Sequence, residues 1–367
     1  MPETIREKEE DIRRAIATIQ TLEHVLFDDV ITAFLEYQET ELRVKPSTLK
    51  NNRSLLAKPT GKSKQRGARI MRFFSGRELF GILTADIRKF LAAMDREDIS
   101  PRTVNIHRQL LHAIFEFARR PDSYGLPDNP VAATKKRPED GTSALEPFEP
   151  SEIALIADAA KAGLHRARPG HRGSRFSARS DREWHLANIQ DGCLYVIAMQ
   201  TGLRMGELIA LRWRDLDLRE SSLTVSRSMS AGKESSTKSR KSRVVPIAKE
   251  AVEAFLELRQ RDFFTGRNDF VFCTSSGSPL DRSAVRKRFV KAQEAAGVSV
   301  RRFHDLRHSF GSRAVLILGI VKVKEIMGHA KLTTTERYLH TKARKSDAEN
   351  LTSIFAEPEK SDLAMAA

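Results

Sequence analysis

A charged stretch without hydrophobic periodicity divides this chain of 367 residues. From residue 135 to 144 it reads Lys-Lys-Arg-Pro-Glu-Asp-Gly-Thr-Ser-Ala, and it lacks the apolar residues at intervals of three or four that a packed helix needs. We assign residues 135–147 to a linker. Because a chain of this length accommodates two domains of ordinary size, we predict one domain on each side of the linker.

Residues 27–134 are predicted to form a helical domain. The apolar residues of its first helix lie at helical spacing: Phe27, Val30, Ile31, Phe34 and Leu35. Further helices are expected at four places, from Ser47, across residues 70–74, from Thr84 and from Ser100, where helix-start residues precede apolar periodicity. Residues 1–26 are predicted to add a polar helical extension.

Residues 148–345 are predicted to form an α+β domain, followed by a C-terminal tail at 346–367. Helices are predicted at 249–261, 282–296, 304–317, 320–327 and 332–340. Residues 223–227 and 243–247 are candidate hairpin strands joined by a long Ser/Lys/Gly-rich turn, with a third strand at 271–272. The predicted fold class is therefore mainly α with a small antiparallel β element.

Residues 165–184 hold six arginines among Gly, Ser and Pro, without apolar periodicity. We predict a mobile basic insertion in the second domain. Two interpretations of it remain open, contact with a DNA backbone and a solvated loop.

The formal net charge of +15 is concentrated in the middle of the chain. Residues 1–26 have a net charge of −2 and residues 346–367 of −4, so the residues between them carry +21. A basic body between acidic ends indicates a polyanionic partner, with nucleic acid as the default. Seven basic residues from a stretch without acidic residues are predicted to contact DNA phosphates: Lys50, Arg53, Lys62, Lys64, Arg66, Arg69 and Arg72.

Composition argues against several classes of protein. The two cysteines, Cys193 and Cys273, form no Cys-x-x-Cys pair, which argues against a disulfide framework or a thiolate zinc site. No apolar run approaches the roughly 20 residues of a membrane-spanning helix, and the first residues lack the apolar stretch of a signal peptide. We expect a cytoplasmic protein without a membrane partner.

Four short motifs in the second domain combine residues suited to phosphodiester chemistry. They are Thr-Gly-Leu-Arg-Met-Gly-Glu ending at 207, Thr-Lys-Ser at 237–239, His-Asp-Leu-Arg-His at 304–308, and Gly-His at 328–329 followed by Tyr338. Cutting a phosphodiester develops negative charge on the phosphate oxygens. The guanidinium group of arginine stays protonated and can donate two hydrogen bonds to these oxygens, which stabilises that charge. The set indicates cleavage by a tyrosine hydroxyl, with a lysine as the acid. Arg204 taken alone would equally fit a pair with Glu207.

These motifs, with Thr-Lys-Ser-Arg-Lys-Ser-Arg-Val-Val-Pro and Thr-Thr-Thr-Glu-Arg-Tyr338, resemble the boxes of tyrosine recombinases, the phage integrase family. The resemblance covers roughly residues 27–345 and implies a two-domain, C-shaped DNA clamp, with a helical core-type DNA-binding domain and an α+β catalytic domain. By motif match, Arg204 and Arg307 would hold the scissile phosphate and Lys238 would be the general acid. His304 would transfer a proton or bind phosphate, His329 would donate a hydrogen bond to phosphate, and Tyr338 would attack.

The resemblance also implies site-specific recombination of double-stranded DNA through a covalent 3′-phosphotyrosine, by four copies on two duplexes. No cofactor, metal or ATP is implied. An integrase of a phage or mobile element is the first expectation. Alternatives are a resolvase of chromosome or plasmid dimers, a transposon recombinase, a relaxing topoisomerase, and a DNA-binding regulator that has lost catalysis.

Two assignments have competitors within the motifs. Lys233 and Lys241 lie near Lys238, and only the Thr-Lys-Ser context favours the latter. His304 and His308 have the i, i+4 spacing of a zinc-binding helix, but the residue after His304 is aspartate and no third ligand is evident. We expect His308 to pack or hydrogen-bond beside the site.

Overall fold

The computed structural model describes residues 24–59, 68–139, 146–168, 178–230, 232–236, 242–336 and 338–339. The predicted N-terminal helix lies almost entirely outside the described residues, and the C-terminal tail lies wholly outside them. The chain divides into two compact units, with the boundary between Ser143 and Ala144. Each unit has a hydrophobic core of its own.

The first unit is helical over its described residues. Its helices are α1 Phe27–Thr40, α2 Pro46–Leu55, α3 Arg69–Phe74, α4 Thr84–Arg96 and α5 Pro101–Arg119. Pro46 and Pro101 each occupy a first helical turn, where the fixed φ of proline suits the helix and its missing N–H leaves no donor unpaired. The helices predicted in this region are thereby confirmed.

One apolar face of each helix builds the core of the first unit. On α5 the buried residues recur at intervals of three and four: Val104, His107, Leu110, Leu111, Ile114, Phe115 and Ala118. The ring of Phe115 lies 5.6 Å from that of Phe27, which in turn lies 5.5 Å from that of Phe74. These contacts join α5, α1 and α3. Truncating one such buried ring to alanine costs about 3–5 kcal/mol, so this cluster contributes much of the unit's stability.

The second unit combines helices with short strands. The helices are α6 Pro150–Lys161, α7 Ala178–Thr201, α8 Met205–Ile209, α9 Lys249–Arg259, α10 Arg282–Ala295, α11 Phe303–Met327 and α12 Thr333–Glu336. α11 is interrupted at Gly319, whose φ of 73° lies outside the helical range, so the separate helices predicted at 304–317 and 320–327 form its two halves. Within the described ranges no helix is long and apolar enough to cross a bilayer.

The strands form two small antiparallel sheets. They are β1 Leu216–Asp217, β2 Ser222–Val225, β3 Arg227–Ser230, β4 Lys233–Ser236 and β5 Arg243–Pro246. β2 pairs with both β1 and β5, and Leu223 lies opposite Val245. Both are buried while the neighbouring Val244 is exposed, as in a sheet with one face on the core. The predicted pairing of 223–227 with 243–247 is confirmed, but their connection contains a second hairpin, β3–β4, rather than a turn alone.

The third strand predicted at residues 271–272 is wrong. Val271 and Phe272 are fully buried but lie in bends between isolated bridges, one of which joins Arg212 to Phe270. The Val271 N–H donates to the Leu211 carbonyl at 2.9 Å. A short apolar run indicates that its residues are buried but does not distinguish a strand from other buried backbone. Here the two residues are buried without pairing in a sheet.

The mobile basic insertion predicted at 165–184 is wrong at both of its described ends, because His165 and Arg166 are held by the buried Asp191 and residues from 178 onward are helical. Residues 178–184 are the first turns of α7, and residues 169–177 lie outside the described residues. Arg179 pairs with Glu183 one turn later on α7, and Arg168 pairs with Asp181. The high arginine content concealed the helix, because one offsetting acidic residue, Glu183, is brought to Arg179 only by a helical backbone, and the other, Asp181, pairs with Arg168 outside the helix.

A buried carboxylate fastens α7 to neighbouring elements. Asp191 is fully buried and accepts hydrogen bonds from Arg288 of α10 at 2.7 and 3.1 Å and from Arg166. Nε2 of His165 lies 2.8 Å from the same carboxylate. Burial opposes ionisation of Asp191, but these partners outweigh it and lower its pKa to about 2.

We expect Asp191→Asn to lower the free energy of unfolding by about 3–5 kcal/mol near pH 7, because it leaves the buried partners uncompensated. The carboxylate stabilises the fold fully above its ordinary pKa of 3.8, and this stabilisation is lost as the pH falls toward about 2. The difference between wild type and variant should therefore narrow by about 2 kcal/mol in that window. Denaturant unfolding followed by tryptophan fluorescence measures it, since both tryptophans lie in the second unit.

The matched control is Asp158→Asn at an exposed position of α6, which should change the unfolding free energy by less than about 0.5 kcal/mol. A difference between wild type and Asp191→Asn that stays constant from pH 7 to pH 2 would contradict the proposed linkage.

Candidate active site

Arg204 lies in the turn between α7 and α8. Gly202 in this turn has a φ of 61°, and a Cβ at its position would lie 2.4 Å from a ring atom of Phe310. Only glycine therefore fits the turn. Arg204 opens α8: its backbone N–H donates to Glu207 Oε2 at 2.9 Å, and its Nη1 donates to Glu207 Oε1 at 3.0 Å. Its Nη2 donates to the Gly328 carbonyl at 3.0 Å, and the side chain remains 30% exposed.

Glu207 is a buried anion between two arginines. Besides Arg204, it accepts from Nη2 of Arg243 on β5 at 2.8 Å and from Nη1 at 3.2 Å. Nε of Arg243 donates to the Ile326 carbonyl near the end of α11 at 2.7 Å. Burial raises the pKa of Glu207, but the hydrogen bonds and charge of Arg243 outweigh it and hold that pKa below its usual value. Glu207 thus ties β5, α8 and the end of α11 together.

Arg307 lies on the buried face of α11 and is 3% exposed. Its Nη1 donates to the Gly202 carbonyl, and its Nη2 donates to the Met327 carbonyl at 2.6 Å and to His329 Nε2 at 2.8 Å. Burial, reinforced by the positive charge of Arg204, lowers the pKa of Arg307 to about 9. The guanidinium is still protonated at neutral pH.

His329 follows the residue that ends α11. Gly328 there has a φ of 64°, the left-handed conformation that commonly terminates a helix. Because a guanidinium can only donate, Nε2 of His329 accepts the bond from Arg307. The proton of a neutral His329 then lies on Nδ1, which is 2.9 Å from Oγ1 of the fully buried Thr335 on α12. The donor Arg307 therefore sets the tautomer in this arrangement, and the contact with Thr335 fixes the orientation of the ring.

His304 and His308 lie one turn apart on α11, with ring centroids 4.7 Å apart in an edge-to-face arrangement. Desolvation of the imidazole, followed by the electrostatic effects of the neighbouring His308 and Arg307, lowers the pKa of His304 to about 4. His304 is exposed at the surface and is neutral at pH 7. His308 is buried, and its Nδ1 lies 2.9 Å from Oη of Tyr338.

Tyr338 is 1% exposed and lies in a small cluster of its own. Val315, Val323 and Met327 of α11 surround it, since the break at Gly319 lets both halves of the helix contribute. A Cβ on Gly311 would lie 2.7 Å from two atoms of the Tyr338 ring, so the glycine makes room for it. The ring centroid lies 6.4 Å from that of His329, with the planes 18° apart.

The structure brings five of the six predicted catalytic residues into this one region. Arg204, Arg307 and His329 are linked through the loop at 327–329, and Tyr338 and His304 adjoin it through their contacts with His308. Lys238 lies outside the described residues, two positions after the end of β4. In the described part of the chain, no group of three or more His, Cys, Asp and Glu side chains is arranged to hold a metal ion.

The predicted DNA-contacting residues lie in the first unit. Lys62, Lys64 and Arg66 are outside the described residues. Lys50 and Arg72 are exposed on α2 and α3. The other two have acidic partners from distant parts of the sequence: Arg53 pairs with Glu39 and Arg69 with Glu97.

Sequence reasoning did not identify Arg243 and Thr335 as members of this site. Arg243 stands inside the Thr-Lys-Ser-Arg-Lys-Ser-Arg motif, but several basic residues compete there and none is marked by its spacing. Thr335 is one of three consecutive threonines. The expectation that His308 packs or hydrogen-bonds beside the site agrees with its contact to Tyr338.

Comparison with known sequences relates this chain to one family. The family model described as "Phage integrase family" matches residues 177–345. The tyrosine recombinase XerC of Chlorobaculum parvum is 30% identical over 278 residues, which cover 70% of this chain and 74% of the relative. XerC of Shewanella amazonensis is 27% identical over 308 residues, which cover 83% of this chain and 88% of the relative.

Two solved structures share the fold. The Tn1549 transposon integrase in complex with a circular intermediate DNA has a TM-score of 0.61 at 19% identity, covering 89% of this chain and 99% of that one. The lambda integrase tetramer bound to a Holliday junction has a TM-score of 0.60 at 18% identity, covering 86% and 81%. The predicted fold class, mainly α with a small antiparallel β element, is confirmed.

We expect Thr335→Val to lower the free energy of unfolding by about 0.5–1.5 kcal/mol, because it keeps the shape of the side chain but removes the hydroxyl that bonds to Nδ1 of the half-buried His329. Thr335→Ser retains the hydroxyl and is the matched control. Denaturant unfolding of the two variants measures the difference. Equal stability of the valine and serine variants would show that the hydroxyl does not orient His329.

Proposed function

Because the chain belongs to the phage integrase family of tyrosine recombinases, we propose that it cuts and rejoins DNA through a covalent bond between Tyr338 and a DNA 3′ phosphate. Family membership makes it a site-specific DNA recombinase, and the proposed substrate is double-stranded DNA at specific recombination sites. The observation that supports the proposed site is the convergence of Arg204, Arg307 and His329 from separate motifs next to the Tyr338 ring.

In the proposed cleavage step, Oη of Tyr338 attacks the scissile phosphorus. A bond forms between Oη and phosphorus, the bond from phosphorus to the 5′ oxygen breaks, and the leaving oxygen takes a proton. In the joining step a 5′ hydroxyl of a second strand attacks the phosphotyrosine and releases the tyrosine. Because one phosphoester replaces another at each step, the energy of the broken linkage is conserved and no nucleotide hydrolysis is needed.

The two arginines are proposed to hold the phosphate and to stabilise the charge of its transition state. Guanidinium groups donate two parallel hydrogen bonds to phosphate oxygens, and donors fixed before the reaction need little reorganisation. Arg204 and Arg307 are supported in this role because backbone carbonyls at 202, 327 and 328 already fix their side chains. His329 is proposed to donate to the phosphate, for which Nε2 must carry the proton.

Lys238 is proposed as the acid that protonates the leaving 5′ oxygen. Its support is the Thr-Lys-Ser motif and the position of that motif directly after β4. The first unit is proposed to bind the duplex through the basic residues of its α2–α3 region, with Lys50 and Arg72 as exposed contributors.

We propose that the biological role is integration of a phage or other mobile element, with resolution of chromosome or plasmid dimers as the second candidate. The second candidate is supported by the similarity of most of this chain to proteins named XerC. Both roles would use the same cleavage and joining chemistry. The two roles differ in the DNA site that is recombined. If the gene belongs to an integrated element, that site lies in the DNA flanking the gene. Identifying that flank also supplies the substrate for the assays below.

We expect Tyr338→Phe to bind a nicked suicide duplex carrying this site but to form no covalent adduct, because the nucleophilic oxygen is absent. Arg204→Ala and Arg307→Ala should each slow adduct formation by at least about 100-fold, as expected for lost donors to the transition state. Denaturing gel electrophoresis of single-turnover reactions measures both. Tyr124→Phe and Arg219→Ala, both outside the site, should react at the wild-type rate.

An adduct formed at the normal rate by Tyr338→Phe would remove the nucleophile assignment. Absence of any adduct from the wild-type protein on its bound site would favour the DNA-binding regulator that has lost catalysis.

We further propose that four copies act together on two duplexes, a stoichiometry supported by the lambda integrase tetramer on a Holliday junction. Tyr338→Phe should therefore hold two site-bearing duplexes in one complex containing four chains, since synapsis precedes chemistry. Light scattering of the purified complex measures its mass. A complex of one duplex and two chains at all protein concentrations would contradict the proposal.

A further inference from the structure

We propose that His308 is a catalytic residue, the acceptor of the Tyr338 hydroxyl proton during attack on DNA. This inference rests on the proposed function of Tyr338 as the nucleophile. It assigns a chemical role to a histidine that the motif match left as packing or hydrogen bonding beside the site.

The contact between the two residues is direct. Nδ1 of His308 lies 2.9 Å from Oη of Tyr338, a hydrogen-bond distance, and both residues are buried. A phenol with an ordinary pKa of about 10 carries its proton at neutral pH, so Oη donates and a neutral imidazole accepts at Nδ1. A general base must lie within hydrogen-bond reach of the proton it removes, and this pair meets that condition.

The surrounding residues hold the phenol ring against the imidazole. Gly311, one turn after His308, leaves the space that the ring fills, and Val315, Val323 and Met327 close it from the sides. A hydrogen bond in such a water-poor environment is stronger than the same bond in water. Both partners are therefore positioned before DNA arrives.

His304 is less suited to this role. It is exposed, and its ring faces the ring of His308 edge-on rather than lying against the Tyr338 hydroxyl. His308 contacts the rings of His304 and Tyr338, and the Tyr338 ring in turn lies near the His329 ring, to which Arg307 donates. The carboxylates of this region have other partners, since Glu207 accepts from Arg204 and Arg243, and Asp305 accepts from Arg302.

The proposed step is balanced. As the Oη lone pair forms the bond to phosphorus, the Oη proton moves to Nδ1 of His308 and gives an imidazolium. The bond from phosphorus to the 5′ oxygen breaks, and that oxygen takes its proton from the proposed acid, Lys238. In the joining step the phenolate leaves phosphorus and recovers its proton from His308, as microscopic reversibility requires.

The test compares His308→Asn with wild type in single-turnover adduct formation. The Oδ1 of asparagine can accept a hydrogen bond where Nδ1 lay, but it does not take up a proton at neutral pH. We expect His308→Asn to bind DNA normally and to form the adduct about 100-fold more slowly or worse, the usual contribution of a general base. A 5′-bridging phosphorothiolate, whose sulfur leaves without protonation, should rescue Lys238→Ala but not His308→Asn.

A second measurement separates proton transfer from a structural role. Replacing Tyr338 by 3,5-difluorotyrosine lowers the pKa of the phenol, so the ionised nucleophile is available without a base. It should restore most of the adduct rate in His308→Asn near pH 8 while changing the wild-type rate little. Should His308→Asn fail to fold, His308→Gln takes its place in the same comparison.

The outcomes decide between distinct explanations. A wild-type rate in the His308 variants, a faster rate, or a slow rate that difluorotyrosine does not restore would each overturn the role as proton acceptor. A faster rate would mean that the contact restrains the nucleophile. Adduct formation by Tyr338→Phe would instead overturn the proposed function, independently of any result at His308.

Discussion

The pairing of the Glu207 carboxylate with two arginines is the interaction on which the rest of the candidate site depends. Arg204 and Arg243 both donate to it, and Arg307 lies close enough for the charge of Arg204 to lower its pKa. Three guanidinium groups gathered without a counter-ion would repel one another and lose their hydration, whereas one buried anion offsets part of both costs. Since one carboxylate balances fewer charges than are present, the site keeps the excess of positive charge that a phosphate needs.

Backbone carbonyls complete what Glu207 begins. The carbonyls of Met327 and Gly328 at the end of α11 have no partner within their own helix, and Arg307 and Arg204 donate to them. Arg307 and Arg204 thus satisfy carbonyl groups at the end of α11, and their other guanidinium N–H groups are available to the site. Exposure distinguishes them: Arg204 is 30% exposed and can meet a phosphate directly, whereas Arg307 at 3% must exchange one of its present acceptors. His329 is the acceptor whose replacement is easiest to envisage, because releasing Nε2 from Arg307 also frees it to carry a proton.

Sequence reasoning succeeded where one short-range rule controls the structure. Apolar periodicity and helix-start residues located the helices of the first unit, and the two halves of α11 were separated at Gly319. It failed at Val271 and Phe272, where a buried apolar run resembles a strand. It also failed near Arg179 and Glu183, where a high content of charged residues is typical of a loop although the two residues have helical spacing. The motif residues were chosen from their order along the chain. Their supporting partners, such as Arg243 and Thr335, are defined only by contacts 36 and 6 residues away, which no local rule reveals.

The basic region of the first unit shows the same limit for electrostatics. In the sequence, eleven basic residues lie between Glu41 and Glu78 without an acidic residue among them. In the fold, carboxylates from outside that stretch pair with four of its described members, in the pairs Arg53–Glu39, Lys58–Asp28, Arg69–Glu97 and Arg77–Asp86. A paired arginine that binds a DNA phosphate exchanges one anion for another, so it gains less than an arginine taken from water. Each displaced carboxylate also stays near the phosphate and repels it. Counting basic residues therefore overstates the electrostatic affinity of this surface, and the salt dependence of binding will follow the smaller number of cations that are not already neutralised.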